Sequence, residues 1–230
     1  MREITVACLD MAGTTVADDG SVMTAFRAAV AEFGLVPGAD GYDAAIAFVQ
    51  DTMGQSKIEV FRRLLGAEER AQQGNRIFEE SYAAAVRAGQ VAPLPGALET
   101  ITALRAAGIR VCLATGFAPV TRDTVLDALG WRPLIDLALS PADAGRGRPW
   151  PDLPLTALLR LGGGAVSELA VVGDTPSDVE SGLRAGAGIV AGVLTGAGTP
   201  ESLAAAGTPH VLETVGGLLH LVGIGTEILH

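Results

Sequence analysis

Short apolar runs recur along this chain, and each is too brief for a buried helix and too continuous for a half-exposed strand. They span Ile4 to Leu9, Ile109 to Ala114, Ile135 to Leu139, Leu169 to Val172 and Gly188 to Leu194. A strand apolar on both faces belongs inside a parallel sheet that is covered above and below. Helical periodicity fills the gaps between the later runs, at Ala97 to Ala107, Val120 to Leu129, Leu153 to Leu161 and Pro176 to Ala185. Alternation of this kind predicts an α/β fold with a doubly wound parallel sheet, which binds ligands at the carboxyl ends of its strands.

Residues 17–90 break the alternation and show no convincing strand. Their periodicity predicts helices over Ser21 to Phe33, Gly41 to Thr52, Lys57 to Leu65 and Glu68 to Arg87. The predicted organisation is a core domain of residues 1–16 and 91–230 and a small helical cap of residues 17–90, inserted after the first strand and lying over its carboxyl edge. Val91 to Gly96 reads as the return hinge, Gly162 to Gly164 as a loose turn, and Gly216 to His230 as a final helix and tail.

Composition narrows the partners. The net charge of −10 argues against nucleic acid and anionic membrane surfaces, which select basic patches. A small anionic substrate needs only a local set of donors and stays open. The two cysteines, Cys8 and Cys112, sit in separate strand-like runs, with no disulfide framework or zinc spacing around them. No signal peptide precedes the first strand and no apolar stretch is long enough to span a bilayer, so a reducing cytoplasm is the predicted home.

Four strand ends carry chemistry. Asp10-Met11-Ala12-Gly13-Thr14-Thr15 places a carboxylate after a buried strand; a turn-capping Asp would look the same. Gly173-Asp174-Thr175-Pro176-Ser177-Asp178 places another, with Thr175 as N-cap, Pro176 as first helical residue and Asp178 completing a capping box. Asp10 and Asp174 together make a hard oxygen pair suited to Mg²⁺. Thr115-Gly116-Phe117 offers a hydroxyl and free N–H groups for a phosphoryl oxygen, or only a turn. Arg148 lies in a Gly/Pro-held loop, as a phosphoryl clamp or as a solvated cation.

Lys57 is the only lysine; the other fifteen cationic side chains are arginine. Arginine stays protonated, whereas a lysine that loses its proton can attack a carbonyl. The alternative is an ordinary surface charge in an Arg-rich chain. Ser56-Lys57-Ile58-Glu59 has the form of a capping box, which puts Lys57 at a helix start, where the macrodipole disfavours a cation. Gly54 fits the stop of the preceding helix. Val60, Phe61 and Leu64 follow on the same side, and their desolvation also depresses an amine below its usual ~10.4. Glu59 opposes the shift if it is close.

The ordered set Asp10, Thr115, Arg148 and Asp174 resembles the haloacid dehalogenase superfamily over essentially the whole chain, and within it the phosphonoacetaldehyde hydrolase (phosphonatase) branch. Most phosphatases of the superfamily carry an acid two residues after the nucleophile, where this chain has Ala12. The phosphonatase branch shares the Asp-x-Ala form, the arginine at Arg148 and a cap lysine in a Met-Gly-x-x-Lys stretch, here Met53-Gly54-Gln55-Ser56-Lys57. The resemblance implies Asp10 as the nucleophile toward phosphorus and Lys57 as an imine-forming amine. It implies Mg²⁺ on Asp10, Asp174 and the Ala12 carbonyl, with Asp178 either supporting the metal through water or capping its helix. Thr115 and Arg148 would hold phosphoryl oxygens, and Met53, Gly54, Gly116 and Phe117 would line the substrate site. A homodimer is also implied. Two family positions depart: a His one turn after the lysine is Val60, and a Tyr after Thr-Gly is Phe117. Another group or water must then shuttle protons. His210, His220 and His230 all fall near the C-terminus, as structural or surface residues.

Three readings follow. The first is a hydrolase of the carbon–phosphorus bond of phosphonoacetaldehyde or a related 2-oxoalkylphosphonate. The second is a Mg²⁺-dependent phosphate-ester phosphatase in which Lys57 only binds the anion; the missing acid at Ala12 counts against it. The third is a catalytically weak binding protein, against which the intact strand-end set counts.

Overall fold

The computed structural model describes residues 3–17 and 19–225. Six parallel strands form the main sheet: β1 (Val6–Asp10), β4 (Arg110–Ala114), β5 (Leu137–Leu139), β6 (Leu169–Gly173), β7 (Ile189–Val193) and β8 (His210–Leu212), in the order β5-β4-β1-β6-β7-β8. Two further strands, β2 (Val16–Ala17) and β3 (Ala92–Pro93), pair antiparallel. Strand order reverses direction around β1, so the ends of β1, β4 and β6 diverge into a crevice at the switch point.

The period-2 alternation of strand side chains sorts the core into two faces. Ala7, Leu9, Val111, Leu113, Ala170 and Val172 pack against α5 (Ala97–Ala106), α6 (Pro119–Leu129) and α11 (Gly217–Leu221). Val6, Cys8, Cys112, Leu139 and Val171 face α8 (Asp152–Arg160) and α9 (Pro176–Ala185). Cys8 and Cys112 are register partners on neighbouring strands, and both are free and buried. Short helices α7 (Pro141–Ala144) and α10 (Pro200–Ala205) complete the core connections.

Between β2 and β3 run α1 (Ser21–Ala31), α2 (Tyr42–Asp51), α3 (Lys57–Leu65) and α4 (Glu68–Arg87). Their buried residues, among them Phe26, Val60, Phe61, Phe78 and Tyr82, continue without a break into the apolar cluster on the first sheet face. The chain has six Phe, two Tyr and two Trp. Phe26, Phe61, Phe78, Phe117 and Tyr82 form one ring cluster, with Phe26 and Phe78 centroids 4.6 Å apart and Tyr82 and Phe117 also 4.6 Å apart. Scarce aromatic mass is thus concentrated where the helical segment meets the end of β4.

Several sequence expectations need correction. Residue 17 belongs to a strand, and the return segment pairs with it, so the exit and re-entry of the helical segment are tied by a hydrogen-bonded ladder. The edge strand β8 and the helices α7 and α10 are too short to leave a periodic signal. The terminal helix covers only Gly217–Leu221, and residues 226–230, with His230, lie outside the described residues. His210 is half-buried in β8 and His220 is exposed on α11. No helix among the described residues is long and apolar enough to cross a membrane.

Candidate active site

Asp10 ends β1, and the turn that follows folds back through backbone N–H groups of Thr14, Thr15 and Val16 onto the Met11 carbonyl. Met11 is buried in the core, while Asp10, Ala12 and Gly13 line a cavity of about 440 Å³. Asp174, just past β6, enters the same cavity. Its Oδ1 accepts from the Thr14 hydroxyl at 3.2 Å and its Oδ2 from Ala197 N–H at 2.8 Å. Gly13, at φ +88°, leaves room for that carboxylate; a Cβ there would sit 2.6 Å from Asp174 Oδ2.

Thr115 ends β4. Its hydroxyl accepts from Phe117 N–H at 3.2 Å, which leaves its own proton free to donate to a bound anion. Gly116 follows, and a Cβ on it would overlap the Gln55 carbonyl. The loop between α2 and α3 therefore rests directly on the end of β4, and Lys57 N–H donates to the Gly116 carbonyl at 3.1 Å. Met53, Gly54, Gly116 and Phe117 all line the cavity.

Lys57 is 95% buried, by its 5% relative exposure, and its side chain reaches the same cavity. Its Nζ lies 5.5 Å from the ring centroids of Phe26 and of Phe117. Among the described residues it makes no ion pair and no side-chain hydrogen bond. Burial depresses the amine below its ordinary range; Asp10 and Glu79 oppose this, and Arg148 reinforces it. The local mechanism for the shift is corrected in two respects. Ser56 occupies the N-cap but makes no capping hydrogen bond. Glu59 turns outward to pair with Arg62, so it neither closes a capping box nor faces the amine. Val60 and Phe61 are buried as the helix pattern implied, and the rings beside Nζ, Phe26 from α1 and Phe117 after β4, add to them.

Arg148 is buried behind the cavity wall. It pairs with Asp10 Oδ1 at 2.8 Å and with Asp178 Oδ1 at 2.6 Å, and donates to the carbonyls of Ala114 at 3.0 Å and Gly54 at 3.4 Å. It grips the Asp10 carboxylate from behind, and does not line the cavity where a phosphoryl group would sit. Asp178 has the capping role: its Oδ2 accepts from Thr175 N–H at 3.1 Å and from the Thr175 hydroxyl at 2.5 Å, while Arg148 takes its Oδ1. With both oxygens engaged, it stands apart from the pair facing the cavity.

The charge balance points to a cation. Burial raises Asp10 well above the ordinary carboxyl range despite its bond to Arg148, since Asp178 and Asp174 add repulsion. Burial and the charge of Asp178 push Asp174 up to about 7. These acids hold their protons because their charges are crowded and buried together, and a cation bound between Asp10 and Asp174 would relieve that repulsion. Among the described residues no three acidic, His or Cys side chains converge to form a cage. Two carboxylates and the Ala12 carbonyl leave the remaining positions to water, as suits Mg²⁺.

The site is thus a parallel switch-point crevice lined by strand-end carboxyls and a hydroxyl, with a buried arginine behind it. The family model of the haloacid dehalogenase-like hydrolases matches residues 4–186, and the chain belongs to that family. Its relatives include phosphonoacetaldehyde hydrolases. That of Pseudomonas entomophila is 29% identical over 212 residues, covering 84% of this chain and 74% of the relative. That of Parabacteroides distasonis is 26% identical over 216 residues, covering 85% and 78%. The solved structure of a phosphonoacetaldehyde hydrolase-like protein from Oleispira antarctica superposes with a TM-score of 0.82 at 25% identity, over 96% of this chain and 92% of that one. A solved structure from Lactobacillus delbrueckii, at 16% identity and TM-score 0.78 over 96% of this chain, shares the fold.

Sequence reasoning missed Phe26, Thr14 and Glu79. Thr14 stood inside a noted motif. Phe26 and Glu79 carried no local signal, since each reads as an ordinary helix residue.

Proposed function

We propose that this protein hydrolyses the carbon–phosphorus bond of a small 2-oxoalkylphosphonate such as phosphonoacetaldehyde. The observation that carries this reading is the pairing of a buried, unpaired lysine amine with a strand-end carboxyl across one cavity whose intervening residue, Ala12, offers only a methyl group. A phosphate ester leaves as an alkoxide and needs an acid beside it. A phosphonate leaves as a carbanion, for which an acid on oxygen does nothing and an adjacent electron sink does everything.

On this reading residues 17–90 act as a cap domain that delivers Lys57, and residues 1–16 with 91–230 as the catalytic core. The Lys57 amine attacks the carbonyl carbon; loss of water leaves a protonated imine. An Asp10 oxygen attacks phosphorus, and the C–P electron pair flows into the imine to give an enamine. Water then hydrolyses the aspartyl-phosphate, and protonation and hydrolysis of the enamine release the aldehyde and free Lys57. Thr115 and the Gly116 N–H hold phosphoryl oxygens, and Arg148 holds the Asp10 carboxylate in place. Bound Mg²⁺, held by Asp10, Asp174 and the Ala12 carbonyl, would supply positive charge to offset that of the phosphoryl oxygens.

Borohydride reduction in the presence of phosphonoacetaldehyde tests the reading. A reduced adduct mapped to Lys57, with loss of turnover, is the expected outcome. No adduct, together with efficient hydrolysis of simple phosphate esters, would establish the phosphatase alternative, and turnover of neither would favour a binding protein.

The cation has its own signature. In the metal-free fold Asp174 titrates at about 7, above its ordinary 3.8, and Asp10 and Glu79 are shifted in the same direction. The folded state holds these protons more tightly than the unfolded one. The contribution of Asp174 to stability is therefore present at acid pH and lost as pH rises through about 7, and those of Asp10 and Glu79 have the same sign. With chelator, the unfolding temperature should fall over this interval. Added Mg²⁺ should raise it most at the alkaline end, where it no longer competes with protons. Identical curves with and without Mg²⁺ would remove the metal from the proposal.

A further inference from the structure

Lys57 has a second acidic neighbour in a cavity that Asp10 does not line. A smaller cavity of about 110 Å³ is lined by Ser56, Lys57, Asn75, Glu79 and Phe117, among others. Glu79 is 8% exposed, on the turn of α4 that follows Asn75. Its carboxyl accepts from the Ala118 N–H at 3.1 Å and from the Thr121 hydroxyl, both at the start of α6. Asn75 Oδ1 is buried with no hydrogen-bond partner among the described residues, so the cavity offers an acceptor that a water would satisfy. Lys57 and Glu79 make no direct ion pair, and the space between them has room for water.

From this geometry we infer that Glu79 is the proton-relay residue of Lys57, exchanging protons with the amine and its adducts through the small cavity. The inference rests on the imine reading above and names the group that serves it. The groups that face Lys57 are Asp10 from β1, Asp174 from the end of β6, Arg148 from its loop and Glu79 from α4. Asp10 is held by Arg148 and Asp174 by Thr14 and Ala197, which leaves Glu79 as the acid not committed to the phosphoryl side. Burial favours the uncharged pair: it lowers the lysine and raises the glutamic acid.

Each step balances. Addition of the neutral amine to the carbonyl gives a carbinolamine, with the amine proton transferred to oxygen. Glu79 donates a proton through water to the carbinolamine hydroxyl, which leaves as water; the nitrogen lone pair forms the protonated imine and Glu79 becomes a carboxylate. After C–P cleavage the enamine carbon takes a proton from solvent, balanced by the proton released when water hydrolyses the aspartyl-phosphate; water then adds to the imine, its surplus proton returns to Glu79, and collapse of the carbinolamine frees the aldehyde and the neutral amine. Acting through water, Glu79 is a positioning and relay group that does not touch phosphorus.

The test is the rate of Lys57 adduct formation with phosphonoacetaldehyde and cyanoborohydride across neutral pH. Glu79→Gln, which preserves side-chain shape, should slow trapping by on the order of 10²-fold and flatten the pH profile, the scale of general acid–base assistance. Glu79→Asp should recover part of the rate. Lys57 is the only lysine, so its isotope-labelled Nζ resonance is assigned without ambiguity. Over the pH range in which Glu79 is ionised its charge raises the amine, so that resonance should titrate at lower pH in Glu79→Gln. If Glu79→Gln disturbs folding, Thr121→Val serves instead: losing a hydroxyl donor to the carboxylate, it should move the trapping profile to higher pH. Wild-type trapping rates and profiles in these variants would overturn the relay and leave the imine reading standing. Failure of the wild-type protein to form any adduct would overturn both.

Discussion

Lys57→Arg should abolish carbon–phosphorus cleavage, with a loss on the order of 10⁴-fold or more, the scale for removing a covalent nucleophile. The substitution keeps the positive charge and nearly the reach of the side chain. A lysine that merely grips a phosphonate anion would be largely replaced by arginine, whose guanidinium binds phosphoryl oxygens well. An imine-forming lysine cannot be replaced, because a guanidinium does not give up its proton. The two roles therefore predict different kinetics from one variant. Lys57→Ala should be equally inactive and should also lose substrate affinity. Unfolding curves guard against a packing artefact, since the guanidinium must fit between the Phe26 and Phe117 rings that surround Nζ. Turnover in Lys57→Arg within about tenfold of wild type would sink the covalent role.

The largest loss of stability is expected at Arg148. Its side chain is 4% exposed and bridges Asp10 and Asp178 while donating to two carbonyls. Burial works against its charge, but Asp178 and Asp10 hold it protonated. Arg148→Met leaves two buried carboxylates without their counter-ion and two carbonyls without a donor. Breaking a buried pair in this way costs about 3–5 kcal/mol. In a chain of this size that corresponds to a fall in unfolding temperature of roughly 10 °C. Activity should fall as well, because Asp10 protonates more readily once the guanidinium is gone. Arg148→Lys should rescue little, since one ammonium cannot fork between two carboxylates and two carbonyls. Arg146 is the control: its pair with Asp152 is on the surface, and Arg146→Ala should leave the unfolding temperature nearly unchanged. An Arg148→Met protein as stable as wild type would show that the buried cluster is not held by charge.

Much of the architecture was legible because parallel strands buried on both faces leave continuous apolar runs. Helix α3 was predicted as Lys57 to Leu65 and observed there, and α4 was likewise observed from Glu68 to Arg87. The pairing of β2 with β3 was not legible, since two-residue strands carry no period. The capping box at Ser56 was predicted from a four-residue pattern and is absent. The start of α3 is instead fixed by the Gly116 carbonyl, which accepts from Lys57 N–H, a contact across 59 residues of chain. Thr175 and Asp178, with the same kind of pattern, do form the box, the Asp178 carboxylate accepting from both the N–H and the hydroxyl of Thr175.

The sequence by itself determined the chemical inventory: carboxylates at the ends of two buried strands, no acid at Ala12, and a single lysine side-chain amine. Those are covalent facts, and strand ends in a parallel sheet place them on one edge. Only the tertiary structure decided the state of that amine. The rings that strip it of water come from α1 and the end of β4, and the acids that oppose its neutrality come from β1 and α4. Desolvation and Coulomb energy depend on distance through space, and Glu79, beside Glu80 on a long polar helix, looks like solvated charge until α4 is folded against α6.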